Sequence, residues 1–245
     1  MFLATKLFPL MPLSPVVEHR ARASARRLGV DAIDLYQVHW PNPVVSNGPT
    51  MEGMRRAVDQ RVVRHVGVSN FPLGRWEDAE RRLGRPVISN QVQYSLVQRK
   101  PEGDLLPYAQ RAGRLIIAYS PLAQGLLSGR YDGSTPPHGW VRWANPLFLR
   151  ENVARAGELL DALRDVAARY AATAAQVALA WVVRRPNVVA IPGASSVGQL
   201  ESNVAAADLE LSDDDDARLT EAADRFQPRK GPSTLPGLAR AVVSC

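Results

Sequence analysis

The chain has 245 residues, 46% of them hydrophobic and 22% charged, which excludes a disordered or fibrous protein and allows a large core. The net charge is +6, but the arginines are spread over many predicted helices rather than gathered on one face, which argues against nucleic-acid binding. There is no run of 18 apolar residues and no signal-peptide pattern, and the only cysteine is Cys245, so we expect a cytoplasmic protein with no membrane segment and no internal disulfide.

Six short apolar runs predict β-strands, and each ends in a polar residue or a turn. They lie at 2–6, 33–40, 62–70, 87–94, 115–121 and 188–194. Their nearly continuous Val, Ile and Leu content is typical of parallel strands covered by helices on both faces. No Gly-x-Gly-x-x-Gly turn follows any of them, so the repeated strand–helix units favour a β/α barrel over a Rossmann sheet.

Amphipathic helices are predicted between the strands. Ser14 and Thr50 are candidate N-caps of two of them, while Gly84 and Gly113 follow the ends of two others. Residues 174–184 are apolar nearly all round, which predicts a deeply buried helix.

The domain organisation follows from the same patterns. We expect one partial barrel domain over residues 1–226, with a last helix after Ser212, and a poorly ordered tail at 227–245. Residues 123–150 are rich in Gly, Pro and Trp and show no clear period, which predicts a long functional loop.

Two ionisable side chains stand at predicted strand ends, where a barrel places its chemistry. Lys6 ends the first strand, in a chain in which only three of the 30 basic residues are lysines, and His39 ends the second. Side chains alternate along a strand, so Leu35, Gln37 and His39 share one face while Tyr36 faces the other. Taken alone, Lys6 also fits an exposed terminal lysine, and His39 fits a core histidine.

The remaining strand ends are polar as well. Ser69 and Asn70 follow the third strand, Gln91 lies in the fourth, and Tyr119 ends the fifth. The loop GASS (193–196) precedes a helix, and its N–H groups and hydroxyls suit a phosphate. No His or Cys pair has the spacing of metal ligands, so no metal site is predicted.

Several short motifs, taken in order, resemble the aldo/keto reductase family over residues 2–226. They are ATK, DLYQVHWP, GVSNF, NQVQYS, AYSPLAQG and IPGASSVGQLESN. The stretch PLAQGLLSGRY is similar to the bacterial and potassium-channel β-subunit branches of the family. The resemblance implies a (β/α)8 barrel that uses NADPH to reduce a small-molecule carbonyl compound.

The resemblance also implies roles for individual residues. Lys6 matches the lysine that lowers the pKa of a proton-donating tyrosine, and His39 matches the histidine that orients the carbonyl. The implied cofactor-binding residues, from the nicotinamide to the adenosine end, are Ser69, Asn70, Gln91, Tyr119, Ser120, Leu122, Gln124, Gly125, Gly193, Ser195, Ser196, Gln199 and Asn203. Gly193 and Gln199 stand where many relatives have a lysine and an arginine on the 2′-phosphate. We therefore expect NADP(H), with NAD(H) as the less favoured alternative.

Six predicted strands are two fewer than the eight of the barrel, so the first two β/α units are expected to be missing. The donor tyrosine of the family and its aspartate belong to that part, and neither residue type occurs before Lys6. Either the recorded start is wrong and the intact protein is an ordinary reductase, or the short chain is real and catalysis is lost or weakened. The alternatives to a reductase are a non-catalytic cofactor-binding or regulatory subunit and a non-functional fragment. Open strand edges and uncovered apolar faces further predict poor stability or aggregation.

Overall fold

The computed structural model of the protein describes residues 1–131 and 145–229. The middle of the predicted functional loop (132–144) and most of the predicted tail (230–245) lie outside the described residues. The described ends of that loop contain two short 3-10 helices, Ala123–Ser128 and Pro146–Phe148.

Six strands form one sheet, and their order in the sheet is their order along the chain. They are β1 (Ala4–Leu7), β2 (Ile33–Val38), β3 (Val63–Ser69), β4 (Val87–Gln93), β5 (Leu115–Tyr119) and β6 (Val188–Ile191). The pairs β1–β2, β2–β3 and β3–β4 are parallel. Parallel neighbours require crossover connections, and helices supply them, which confirms the predicted α/β class.

The α-helices of the described residues are α1 (Ser14–Leu28), α2 (Asn47–Asp59), α3 (Leu73–Leu83), α4 (Leu105–Ala112), α5 (Arg150–Arg155), α6 (Gly157–Arg169), α7 (Ala174–Val183), α8 (Val197–Ala205) and α9 (Asp213–Arg225). Gly84 and Gly113 follow α3 and α4 in the left-handed conformation, as predicted. Residues 177–182 of α7 are all buried, which confirms the predicted core helix. None of these helices is by itself long and apolar enough to span a membrane, and only α6 and α7 pass that test together, across a 92° bend.

The predicted N-caps Ser14 and Thr50 are wrong. Leu13 occupies the N-cap position of α1, and Ser14 is already helical. The second helix begins at Asn47, upstream of Thr50, whose hydroxyl donates to the carbonyl of Pro12 at 3.0 Å. The Thr50 hydroxyl, which the local sequence predicts as a helix N-cap, thus makes a tertiary hydrogen bond instead.

The described residues fall into two compact units. Unit 1 contains Met1–Gln93, Lys100–Ile117 and Pro186–Val189, and unit 2 contains Tyr94–Arg99, Ala118–Arg185 and the described part of Ala190–Cys245. Each unit has its own buried aromatic residue, Trp76 in unit 1 and Trp181 in unit 2. The extent of the predicted barrel domain, residues 1–226, stays a prediction.

Several apolar side chains remain exposed on each unit. Phe2 and Phe8 are exposed near the start of unit 1. In unit 2, helix α8 has no buried residue and exposes Val197, Leu200 and Val204 along one side. Exposed apolar surface favours self-association, and the aggregation expected from the sequence stays a prediction.

Candidate functional site

Lys6 and His39 lie on adjacent strands of unit 1 with their side chains on the same face of the sheet. Lys6 pairs in register with Gln37, and Gln37 and His39, two residues apart, point to the same side. The N–H of His39 donates to the carbonyl of Leu7 at 3.0 Å, which extends the ladder beyond β2. The two ionisable groups therefore meet at the carboxyl ends of β1 and β2.

The electrostatics of this pair differ from those of two solvated side chains. Burial lowers the pKa of Lys6 below its usual 10.5. Burial and then the charge of Lys6 lower the pKa of His39 below its usual 6.5. Within the described residues the Lys6 side chain makes no ion pair or hydrogen bond, and the His39 ring packs against Trp40 at a centroid distance of 4.3 Å. At neutral pH the site presents an unprotonated imidazole beside a partly desolvated ammonium.

Tyr36 is directed away from this pair, as strand parity predicts. Its side chain is fully buried. Burial raises the pKa of Tyr36, and the hydroxyl of Ser24 in α1 opposes that rise. The phenol thus faces the helix layer, where it cannot donate a proton to a group beside His39.

Ser69, Asn70 and Gln91 form a second polar group in unit 1, at the ends of β3 and β4. The Ser69 hydroxyl and the Asn70 N–H both donate to the carbonyl of Gln91, at 2.8 and 2.9 Å. The Asn70 amide donates to Ser69 Oγ at 3.1 Å and to the carbonyl of His39 at 3.4 Å. Asn70 has a φ of +60°, a left-handed conformation that asparagine tolerates. These bonds join the β3 and β4 ends to the strand that carries His39.

Gln91 itself carries an unpaired acceptor. The residue is 3% exposed, and its Oε1 is buried without a hydrogen-bond partner among the described residues. Leaving such an oxygen unpaired costs about 1–3 kcal/mol, so a hydrogen-bond donor that reaches it, from a ligand or a water, would be favourable. An amide N–H of a ligand is a group that would satisfy it.

Unit 2 contains a cavity of about 910 Å³. It is lined by the turn after β5, by Arg130 and by the loop and helix of residues 191–203. The predicted cofactor residues that line it are Ser120, Leu122, Gln124, Gly125, Gly193, Ser195, Ser196, Gln199 and Asn203. Tyr119 does not line it; this tyrosine is half-buried, and burial raises its pKa. A more open cavity of about 620 Å³ beside α3, in unit 1, contains no predicted site residue.

The turn after β5 has an unusual backbone. Ser120, Ala123 and Gln124 have φ of +50°, +50° and +58°, and Gly125 has +103°. Left-handed residues other than glycine are uncommon and cluster at functional sites. A Cβ on Gly125 would lie 3.0 Å from Cε2 of Tyr131, so glycine lets the turn approach that ring. Four residues of this turn, Ser120, Leu122, Gln124 and Gly125, line the cavity.

Arg130 is a site residue that sequence reasoning missed. It is the only positively charged residue among the described residues that line the cavity. Its guanidinium could bind a phosphate through two parallel hydrogen bonds. In the sequence it is one arginine among many, and its only signal is its position shortly after the Gly125 turn.

The GASS loop is held by the helix that follows it. Ser196 caps α8, with its Oγ accepting from the N–H of Gln199 at 3.2 Å. The Gln199 Oε1 accepts from the N–H of Ser195 at 2.7 Å and from its hydroxyl at 3.0 Å. The Asn203 amide donates to the carbonyl of Gly193 at 3.4 Å. The loop therefore keeps its shape through side chains of its own helix.

Replacing Lys6 with methionine is expected to stabilise the chain slightly, by about 0.5 kcal/mol at pH 7. A lysine whose folded-state pKa lies below 10.5 is penalised in the folded state while it is charged. The gain in the free energy of unfolding should be present at neutral pH. It should vanish as the pH rises through the folded-state pKa of Lys6 toward 10.5. Urea unfolding at several pH values measures it.

The same variant tests whether Lys6 acts on His39. Removing the ammonium should raise the pKa of His39, which NMR of the ring protons reports, because the charge of Lys6 lowers it. Lys100→Met is the matched control, since Lys100 is exposed. It should change neither the free energy of unfolding nor the pKa of His39. A His39 pKa that does not respond to Lys6→Met would show that the two groups do not interact.

The model of the family described as "Aldo/keto reductase family" matches residues 2–224. An uncharacterized oxidoreductase of Mycobacterium tuberculosis is 51% identical over 241 residues, which are 98% of this chain and 74% of that protein. The NADH-specific methylglyoxal reductase of Escherichia coli is 31% identical over 220 residues, covering 88% of this chain and 67% of that protein.

Solved structures show the same likeness. An aldo/keto reductase from Klebsiella pneumoniae, in complex with NADP and acetate, superposes with a TM-score of 0.71 at 30% identity. The match covers 94% of this chain and 72% of the Klebsiella chain. The six strands, whose order in the sheet follows their order along the chain, are thus six of the strands of a (β/α)8 barrel.

Proposed function

Because this chain belongs to the aldo/keto reductase family, we propose that it is an oxidoreductase that reduces aldehydes or ketones with a nicotinamide dinucleotide. The cavity of unit 2 carries the proposal, because nine residues that the family resemblance implies for the cofactor line it together. Its volume of about 910 Å³ falls within the usual range for small-molecule and cofactor sites.

The adenosine and pyrophosphate part of the cofactor is assigned to unit 2. Arg130 would neutralise a pyrophosphate oxygen, and the backbone of the turn at Gly125 would approach the same group. Gly193, Ser195 and Asn203 would bind the adenosine end. These residues hold and orient the cofactor.

The nicotinamide end is assigned to Ser69, Asn70 and Gln91. The unpaired Oε1 of Gln91 would accept an N–H of the carboxamide, which relieves a buried unsatisfied acceptor. When bound, the dinucleotide would supply the hydride, and these side chains would decide which face of its ring is presented.

His39 and Lys6 are assigned to the carbonyl. The lowered pKa of His39 keeps its imidazole neutral at pH 7, so one ring nitrogen can donate a hydrogen bond to the carbonyl oxygen. The nearby ammonium of Lys6 stabilises negative charge that develops on that oxygen.

A second candidate is a cofactor-binding subunit that does not turn over substrate. It is favoured by one observation: Tyr36 faces α1 rather than Lys6 and His39, so its phenol cannot donate a proton beside His39. Binding and turnover must be measured separately to decide between the two.

The experiment measures binding first. Titration of the chain with NADH, NADPH and ADP-ribose, followed by tryptophan fluorescence or calorimetry, should show all three bound. Gln91→Leu should weaken dinucleotide binding about tenfold and leave ADP-ribose, which lacks nicotinamide, unchanged. Failure of all three to bind would contradict the proposal.

Turnover then separates the candidates. Loss of absorbance at 340 nm with methylglyoxal or 4-nitrobenzaldehyde supports a reductase. Binding without turnover supports the cofactor-binding subunit. His39→Ala is the matched variant, because it should abolish turnover and leave the affinity for ADP-ribose intact.

A further inference from the structure

We propose that Lys6 forms a covalent imine (a Schiff base) with small aldehydes, in a reaction that uses no cofactor. This activity goes beyond the proposed function, because it uses the neutral amine of Lys6 rather than its ammonium. The surroundings of the Lys6 side chain, the charges on its face of the sheet and the neighbouring imidazole of His39 support it, and all of them lie in unit 1.

The Lys6 side chain is half-buried at the carboxyl end of β1, so a small molecule can reach its amine. Within residues 1–131 and 145–229 this side chain makes no ion pair and no hydrogen bond. Burial is what lowers the pKa of Lys6, which means that the loss of water around the ammonium favours the neutral amine. An amine with no hydrogen-bond partner in the described chain has its lone pair available for a bond to carbon.

The strands around Lys6 supply no carboxylate to its face of the sheet. Among β1, β2, β3 and β4 the only acidic residue is Asp34. Lys6 pairs in register with Gln37, and Asp34, three residues before Gln37, lies on the opposite face. The Asp34 carboxylate already accepts from the N–H of Leu3 at 2.9 Å and from Arg64. A lysine with no carboxylate beside it is more readily converted to the neutral amine than a paired lysine.

The chemistry needs this amine and a group that can move protons. Nζ of Lys6 bonds to the carbonyl carbon, the π electrons of the carbonyl go to its oxygen, and a carbinolamine forms. The oxygen then leaves as water with both amine protons, so C=N replaces C=O and no oxidant or reductant is consumed. The neutral imidazole of His39 can carry those protons from nitrogen to oxygen, because its pKa is held below 6.5. Desolvated lysines act as nucleophiles toward carbonyl compounds in this way.

Reductive trapping followed by peptide mapping tests the inference. Sodium cyanoborohydride in the presence of propanal converts an imine into a stable propylamine, which mass spectrometry locates. The chain has three lysines, and the exposed Lys100 is the reference within the same sample. In a short reaction at about pH 7.5, Lys6 should be labelled at least about fivefold faster than Lys100. Fragment ions distinguish Lys6 from the amino group of Met1.

Two controls connect the reactivity to the folded environment of Lys6. In concentrated urea the burial of Lys6 is lost, and Lys6 and Lys100 should be labelled at rates within about twofold of each other. Lys6→Arg keeps the positive charge but cannot form the imine, so it should abolish the label at this position and leave the label at Lys100 unchanged.

Equal labelling of Lys6 and Lys100 in the folded chain overturns the inference, and so does a preference for Lys6 that persists in urea. The reaction contains no dinucleotide, so either result leaves the proposed function standing. Failure of the dinucleotides to bind, measured on the same preparation, overturns the proposed function and leaves the imine unaffected.

Discussion

Replacing Arg130 with glutamine is expected to weaken dinucleotide binding about tenfold, and up to about a hundredfold at low salt. Hydrogen bonds to charged groups contribute about 1.5–3 kcal/mol, and the exposure of Arg130 places this one near the lower limit. No other positive charge in the described lining of the cavity can replace it. Calorimetric titration with NADH at several salt concentrations measures the loss.

The salt dependence identifies the cause of the loss. The affinity of the unmodified chain should fall as salt rises, while that of Arg130→Gln should respond less, because one charge pair has been removed. Arg150→Gln is the matched control, since Arg150 is exposed and does not line the cavity. An unchanged affinity in Arg130→Gln would show that the guanidinium does not contact the cofactor.

Gly53→Ala is expected to lower the free energy of unfolding by about 2 kcal/mol. Gly53 lies in the middle of α2, where this helix packs against α1. A Cβ at Gly53 would lie 2.6 Å from Cβ of Val17, 2.8 Å from the carbonyl oxygen of Ser14 and 3.0 Å from its Cα. Backbone atoms cannot rotate aside, so the two helices must separate.

The sign of this change follows from two opposing magnitudes. Alanine is favoured over glycine inside a helix by about 1 kcal/mol, whereas overpacking at a rigid contact costs about 3 kcal/mol at the upper end of its usual range. Gly74→Ala in α3 is the control, because a Cβ there meets nothing within 4 Å, and it should leave stability equal or slightly higher. Urea unfolding of both variants compares them, and an undiminished stability of Gly53→Ala would contradict the packing argument.

The predictable part of the candidate site came from features that repeat along the chain. Parity along β2 predicts that Gln37 and His39 share a face and that Tyr36 does not, because alternation is a property of any extended strand. The strand ends are visible in sequence because buried apolar runs stop where polar residues begin. The same logic located the GASS loop before α8.

The features that could not be predicted from the sequence depend on hydrogen-bond partners distant along the chain or on side-chain orientation. Thr50 looks like a cap, but Pro12 lies close enough in space to accept its hydrogen bond. The unpaired oxygen of Gln91 is recognisable only when its whole buried environment is known.

The α/β class, the six strands and the positions of Lys6 and His39 at strand ends were predictable from residue order alone, because hydrophobic periodicity and strand ends depend on neighbouring residues. The folded structure was needed to show that Arg130 lines the cavity and that the amide oxygen of Gln199 accepts hydrogen bonds from the N–H and the hydroxyl of Ser195. The reason is physical. A side chain's hydrogen-bond partner and electrostatic surroundings are set by the folded arrangement of the chain, and one sequence of residue types is compatible with several such pairings.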